Sequence, residues 1–189
     1  MMLKNLLMLV TINIPLMGFS SENIKIVEST TWSDNEKEYQ ITIKTLNTGD
    51  FFTSAWKSKI NASKCQISDN NECLTIWEIN DFNSAPYEFV KYELNSFNLQ
   101  DFNNDGQLDS VFFYRIAKDG NDPDQIKAMF HILDKKYAIR GTLPLLTDYA
   151  SEYSYKFDDA FNALDRNTII KCKEIWDNHI NKIIFEGDL

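Results

Sequence analysis

The residues best suited to chemistry lie in a short acidic stretch, 101–109, which reads DFNNDGQLD. Ca²⁺ takes about six to eight oxygen ligands, and a loop that offers a carboxyl or amide oxygen at every second residue can wrap around one. Gln107 would add its backbone carbonyl, and Gly106 would permit the sharp turn in the middle of the loop. The spacing therefore predicts a calcium site whose side-chain ligands occupy the first, third, fifth and ninth positions: Asp101, Asn103, Asp105 and Asp109.

The same residues also suit a second interpretation. Asp, Asn and Gly are ordinary residues of polar turns between strands, so 101–109 is alternatively a turn without a ligand. The stretch is EF-hand-like only in its first half, because Phe112 stands at the twelfth position, where that motif needs a bidentate glutamate.

In its pattern, D-x-[DN]-x-D-G-x-x-D leading directly into a strand, the stretch resembles the calcium loop of FG-GAP and VCBS-type repeats. Those repeats build propeller blades, but this chain has one copy, so the resemblance implies the loop and its strand and no propeller.

A broader resemblance covers residues 85–165. The order strand, LQDFNNDGQLDSVFFY, acidic turn and strand, followed by KYAIRG at 136–141, is similar to small exported bacterial proteins known as surface polysaccharide biosynthesis proteins. This resemblance implies an association with an envelope glycan and does not imply a reaction. Within KYAIRG, Arg140 is a candidate ligand contact, because its planar fork suits a sugar-acid carboxylate. Its alternative role is an ordinary surface or cross-strand ion pair.

The first twenty residues have the layout of a secretory signal peptide. Lys4 precedes an apolar run at 6–16, and Gly18 and Ser20 are small residues at the −3 and −1 positions of a cut after residue 20. The alternative is a membrane anchor, but the run is shorter than the ~20 residues of a membrane span. We therefore expect a periplasmic or secreted protein with no integral membrane segment after cleavage.

Export affects the interpretation of the three cysteines. Cys65 and Cys73 bracket QISDNNE, which is typical of a hairpin tip, so an oxidising compartment favours a disulfide between them. A redox pair is the alternative, although such pairs usually have C-x-x-C spacing. Cys172 stands on an apolar helical stripe and is predicted to be a buried free thiol.

Composition limits the class of protein that carries these residues. The chain has 189 residues, of which 43% are hydrophobic, and a formal net charge of −9. Such a chain can bury a core, which excludes an intrinsically disordered protein. Its negative charge argues against nucleic-acid binding.

The hydrophobic pattern predicts the elements that position the loop. Period-two alternation marks strands before the loop and after it, and SVFFYRIA at 110–117 has the composition of a central strand. From Phe157 to Ile183, apolar residues recur at steps of three and four, which predicts a helix, or two helices broken near 165–167. We therefore expect an α+β fold, an antiparallel β-meander of about seven strands with a C-terminal helical cover, forming a single domain over 21–189.

These observations favour a non-catalytic exported domain, stabilised by calcium, that binds an envelope glycan or a protein partner. Two alternatives remain open: a hydrolase or transferase that acts on surface polysaccharide, and a secreted inhibitor of another protein. The sequence contains no G-x-S-x-G, H-E-x-x-H or P-loop motif.

Overall fold

A computed structural model describes most of the chain after residue 22, in two compact units. One unit ends at Tyr92 and the other begins at Glu93. The predicted signal peptide, residues 1–20, lies outside the described residues, and the single domain over 21–189 stays a prediction. The described ranges are 23–34, 36–49, 56–83, 85, 87–118, 122–133, 135–143 and 154–186.

The first unit is built on an antiparallel sheet of four strands in the order β1-β2-β3-β4. One face carries the buried apolar side chains, because Ile43 pairs with Ala62 and Ala62 pairs with Ile79. The tryptophan Trp56 ties the unit together, since its indole N–H donates to the Glu88 carbonyl at 2.9 Å. The strands of this unit are β1 (Asn23–Asp34), β2 (Lys37–Thr48), β3 (Lys57–Ile67), β4 (Cys73–Phe82) and β5 (Glu88–Tyr92).

Strands β3 and β4 form the hairpin that the two cysteines predicted. At the tip the Ser68 N–H donates to the Glu72 carbonyl at 2.9 Å. Cys65 and Cys73 are joined in a disulfide with their Cα atoms 5.3 Å apart, so the predicted bridge is confirmed. Cys172 is a buried free cysteine, which confirms its predicted state as well.

The second unit places one long helix against an antiparallel sheet in the order β10-β9-β8-β7, with β6 paired to β7. Strand β7 is buried from its first residue to its ninth, which confirms the central strand predicted from SVFFYRIA. The elements of this unit are β6 (Asn98–Gln100), β7 (Asp109–Lys118), β8 (Gln125–Ile132), β9 (Lys135–Thr142), β10 (Ser154–Phe157), a 3₁₀ helix (Asp159–Ala163) and α1 (Arg166–Glu186).

Helix α1 covers the sheet with the predicted apolar stripe. Its buried residues pack with the side chains of β7, β8 and β9 in one hydrophobic core. Of the two alternatives, one helix or two helices broken near 165–167, the structure shows the break, because the Asp165 carboxylate accepts the backbone N–H groups of Asn167 and Thr168 and so caps α1 at its start. Among the described residues, no helix has the length and apolarity needed to cross a membrane. The stripe consists of Cys172, Trp176, Ile180 and Ile183.

The start of the helical region was predicted wrongly. Phe157 ends strand β10 and pairs with Ile139, and Phe161 lies in the 3₁₀ helix. Their i, i+4 spacing suggested a helix, but the two rings meet edge-to-face, 4.7 Å apart, across a strand-to-helix junction. A spacing that suits one helix face also suits two short elements that pack on the same core.

The α+β class is confirmed, whereas the number of strands differs from about seven. The described residues form ten strands in two sheets. One reason is that residues 87–99, which belong to the alternating region before the loop, form β5 and β6 with a turn between them. Asn95 stands in that turn with φ +59°, a left-handed conformation that interrupts a strand.

Candidate functional site

The predicted ion loop connects β6 to β7 and makes the sharp turn expected at its centre. Gly106 has φ +86°, in the left-handed region that glycine adopts most easily. A Cβ added there would meet no atom within 4 Å, so backbone conformation and not space accounts for the glycine. Asn104 is also left-handed, with φ +60°. The two residues together fold the chain back toward Asp101.

The Asp101 carboxylate lies inside the curve of the loop. One of its oxygens accepts the Asp105 N–H at 3.1 Å, and the other accepts the Gly106 N–H at 2.9 Å. Asp101, the first position of the predicted site, is therefore held in place by the backbone N–H groups of Asp105 and Gly106, the fifth and sixth positions. Each carboxylate oxygen has a further lone pair beyond these bonds, so the group can still accept a cation.

Asn103 and Asp105 complete the half of the loop that the structure brings into direct contact. The Asn103 amide donates to Asp105 Oδ2 at 2.9 Å, while its oxygen accepts the Asp105 N–H at 3.1 Å. The other oxygen of Asp105 accepts the Gln107 N–H at 2.7 Å. The structure thus gathers Asp101, Asn103 and Asp105 around one turn, with the exposed Gln107 at its edge.

Asp109 differs from the other acidic residues because it is buried. Its side chain accepts the Phe102 N–H at 3.0 Å, and the Leu133 backbone N–H also bonds to it. The pKa of Asp109 is raised to about 6, chiefly by burial and in smaller part by the negative charges of Asp105 and Asp101, against the lowering effect of those N–H groups. Asp109 is therefore within electrostatic reach of both carboxylates.

A phenylalanine anchors the loop to the core. Phe102 is fully buried and its ring lies edge-on to Phe130, with centroids 5.8 Å apart. Leu108, the other large apolar residue of the loop, is only half-buried. Lys171 of α1 adds a polar contact, since its ammonium donates to the Asn104 side-chain oxygen at 2.9 Å.

The arrangement supplies oxygen ligands and concentrated negative charge. Within the part of the chain that the structure describes, no three His, Cys, Asp or Glu side chains form a cluster arranged to hold a metal ion. The loop 101–109 differs from such a cluster in two ways. One of its oxygen donors is the Asn103 amide, and the carboxylates of Asp101 and Asp105 accept hydrogen bonds from backbone N–H groups. Its chemistry suits a hard, oxygen-seeking cation such as Ca²⁺ better than a transition metal.

Arg140 lies on β9, at a distance from the loop. Its guanidinium is 3.9 Å from the Asp158 carboxylate and 41% of its side chain is exposed. An ion pair is thus present but long, and its acidic partner directly follows strand β10. Arg140 also lines a pocket of about 400 Å³ on strands β8, β9 and β10, which leaves the ligand-binding interpretation open.

A buried ion cluster on β7 was not identified from the sequence. Arg115, only 4% exposed, donates to Glu93 through Nε at 2.5 Å and through Nη2 at 2.9 Å. Asp124 lies 3.6 Å from the same guanidinium. A lone arginine inside the apolar run SVFFYRIA was a detectable sign, because a buried charge needs a partner.

Two residues that often act as bases or nucleophiles are poorly suited to those roles. Burial lowers the pKa of His179 to about 4, helped by the nearby charges of Lys182 and Arg115. Its imidazole lies against the Phe113 ring at a tilt of 30°, with the ring centroids 3.9 Å apart. Burial likewise raises the pKa of the Cys172 thiol to about 12, so the thiolate is scarce at neutral pH.

The comparisons with known proteins add no family to this description. The chain matches no family model, no curated protein and no solved structure.

Proposed function

We propose that this chain is an exported, non-catalytic protein whose second unit binds calcium through the loop 101–109. The observation that carries the proposal is the convergence of oxygen donors on one turn. Asp101, Asn103 and Asp105 are linked by direct hydrogen bonds, and the buried Asp109 senses the charge of both aspartates. A divalent cation would relieve this repulsion.

The energetics of the loop favour a weak and calcium-selective site. The carboxylates are already oriented by backbone N–H groups, so little ordering remains to be done when an ion binds. Exposed extracellular sites of this type commonly bind at about 10⁻⁴–10⁻³ M. Magnesium requires a tighter octahedral cage, which an open loop of this kind supplies poorly.

The disulfide supports the export part of the proposal. Bridges such as Cys65–Cys73 form and persist in oxidising compartments and are rare in the cytosol. Together with the leader-like residues 1–20, the bridge favours a periplasmic or secreted location.

The proposed partner is an envelope or surface polysaccharide, or a protein. The choice of a glycan as the partner rests on the resemblance of residues 85–165 to surface polysaccharide biosynthesis proteins. The alternatives, a polysaccharide-acting enzyme and an inhibitor, have no structural observation of their own. The residues lining the Arg140 pocket include no pair of carboxylates of the kind that glycoside hydrolysis needs, within the part described.

The test of calcium binding is thermal unfolding of the protein in calcium, magnesium and chelator. At calcium about ten times Kd, binding to the folded state alone adds roughly 1.4 kcal/mol, which corresponds to a rise in Tm of about 3–6 °C. Magnesium at the same concentration should raise Tm less.

Two variants make the test specific to the loop. Asp105→Ala should abolish the response to calcium, while Asp69→Ala, which removes an exposed aspartate from the β3–β4 turn, should preserve it. A Tm of the parent protein that does not change with calcium would mean that 101–109 is only a polar turn.

A further inference from the structure

Two rows of polar side chains cross strands β8, β9 and β10. The pairing of the strands sets each row, because residues directly opposite each other in antiparallel strands point to the same face. Gly141 separates the rows along β9 and faces α1, since a Cβ built on it would lie 2.7 Å from the Trp176 ring. Its neighbours on the strand therefore point to the other face. The rows are Lys127, Arg140 and Lys156, and Gln125, Thr142 and Ser154.

The first row concentrates positive charge in a chain of net charge −9. Arg140 stands directly between Lys127 and Lys156 in the register of the sheet. Like charges placed opposite each other across strands are destabilising. Asp158 lies 3.9 Å from Arg140 and offsets part of this charge, and the Lys127 ammonium lies 5.7 Å from the centroid of the Tyr114 ring. The row is therefore an arrangement that an anion would stabilise.

The second row supplies neutral hydrogen-bonding groups beside the cations. Thr142 and Ser154 carry hydroxyls that both donate and accept, and Gln125 carries an amide. All six residues line the same pocket of about 400 Å³, a volume within the range of small-molecule sites. Sugar hydroxyls need such mixed donors and acceptors, whereas a simple inorganic anion needs only the cations.

We propose that this pocket binds an acidic sugar, with the guanidinium of Arg140 holding its carboxylate and the row Gln125–Thr142–Ser154 holding its hydroxyls. The planar fork of arginine matches a carboxylate in two parallel hydrogen bonds. Lys127 and Lys156 add charge on either side of it.

The proposal rests on the proposed function only for its choice of a glycan as the ligand. The pocket and the calcium loop lie toward opposite ends of β8. Ile132, beside the loop, is five residues from Lys127, which is about 17 Å along a strand. Calcium binding and sugar binding can therefore fail separately.

The experiment is calorimetric titration of the protein, in calcium-free buffer, with a tetramer of galacturonic acid and with its carboxyl-reduced neutral counterpart. The acidic tetramer should bind and the neutral one should bind at least about 10-fold more weakly, as expected for the loss of a charge-assisted pair. Backbone amide NMR shifts during the titration should concentrate in β8, β9 and β10.

Charge-removing variants locate the binding. Arg140→Gln should weaken binding of the acidic tetramer by about 10-fold or more, and Lys156→Gln, at an exposed position on β10, by about 3-fold. Lys135→Gln removes an exposed cation from the same strand as Arg140 but outside the pocket, so it should leave affinity unchanged. Thermal unfolding establishes that each variant is folded, and Lys156→Gln carries the test if Arg140→Gln does not fold.

Three results would overturn the proposal. Equal binding of the acidic and neutral tetramers would exclude a role for the carboxylate. Equal weakening by Lys135→Gln and Lys156→Gln would show a diffuse electrostatic effect. Competition by inorganic sulfate at the same concentration of anionic groups would show a general anion site in place of a sugar-acid site. Calcium-dependent stabilisation without sugar is measured separately, so a negative titration here does not affect it.

Discussion

Asp109 stands at the junction between the acidic loop and the buried strand β7. Asp109 is 5% exposed, yet no positively charged partner is among the groups that set its pKa. Backbone N–H groups of Phe102 and Leu133 satisfy its oxygens in part. Protonation of Asp109 is therefore expected to affect the loop, because the same carboxylate holds the Phe102 backbone N–H.

The first prediction concerns the pH dependence of stability. The pKa of folded Asp109, about 6, is above its ordinary value of 3.8, so the folded state holds the proton more tightly than the unfolded state does. The contribution of Asp109 to stability should therefore be fully present below about pH 4 and be lost as pH rises through about 6, by roughly 3 kcal/mol in total. Calcium needs the ionised carboxylate, so its affinity should fall as pH drops below 6.

Urea unfolding in calcium-free buffer at several pH values measures this effect. Asp109→Asn has no carboxyl to titrate, so it should lack this pH-dependent contribution to stability. The difference in unfolding free energy between the parent and the variant should therefore change with pH. Asp69→Asn, at an exposed turn position, should follow the parent. Parallel curves for the parent and Asp109→Asn would show that Asp109 titrates normally.

The Arg115–Glu93 pair is best explained as a structural feature. Both side chains are buried and joined by two hydrogen bonds, so each satisfies the charge that the other would leave in the core. The positive charge of Arg115 also helps to keep the nearby His179 neutral. The role of Arg115 is therefore explained by its buried ion pair with Glu93, and no ligand is needed to explain it.

At the scale of elements, the β3–β4 hairpin of the first unit combines strand pairing with a covalent bridge. Nine residue pairs align β3 with β4, with a register shift between Lys64 and Cys65, and the disulfide closes the tip of the hairpin over a sequence separation of 8. Short loops of this size lose modest entropy on closure.

The second prediction is the stability that this bridge contributes. Replacing both cysteines, Cys65→Ser with Cys73→Ser, should lower the free energy of unfolding by about 2–3 kcal/mol, because the unfolded chain gains freedom. Urea unfolding of the double variant measures the loss, and the parent protein in reductant should show a similar one. Cys172→Ala is the control for reductant effects, since the parent's response should persist in it. Identical midpoints for the parent and the double variant would contradict the prediction.

The region around Phe157 shows how elements compete for the same pattern. Phe157 and Phe161 have helical spacing. Phe157 nevertheless belongs to the sheet, because it lies in β10 and pairs with Ile139 of β9. Asp158 then bonds to strand β9 through its backbone N–H and through its carboxylate, which accepts the Ala138 N–H. These contacts with a distant strand override the local helical preference.

At the scale of the whole molecule, charge is distributed unevenly. The chain has a net charge of −9, yet β8, β9 and β10 together carry the row Lys127, Arg140 and Lys156. An acidic protein repels acidic polymers in general. Binding an acidic sugar would therefore require a local site of this kind.

The third prediction concerns the mature chain. The small residues Gly18 and Ser20 should direct cleavage after residue 20, so that the exported protein begins near Ser21 and carries a formal charge of −10, because only Lys4 is lost. Intact mass spectrometry of protein from the envelope or culture fraction measures this. Gly18→Lys should block processing and leave the longer form. An exported protein that retains Met1 would refute cleavage.

The sequence by itself determined the features that depend on neighbours along the chain. The donor spacing of 101–109, the left-handed Gly106, the Cys65–Cys73 hairpin and the stripe of α1 are all local patterns, and local patterns act through backbone conformation and periodicity. The central position of β7 also followed from its composition alone.

Only the tertiary structure decided which distant residues meet. The buried partner of Arg115, the raised pKa of Asp109 and the row around Arg140 each depend on strand pairing or burial. Register in a sheet is set by residues far apart in the chain, and a shift of one position would turn every side chain to the other face. Burial likewise depends on the whole unit that surrounds a group. For that physical reason a single sequence shows the residues of a site more readily than the contacts that tune them.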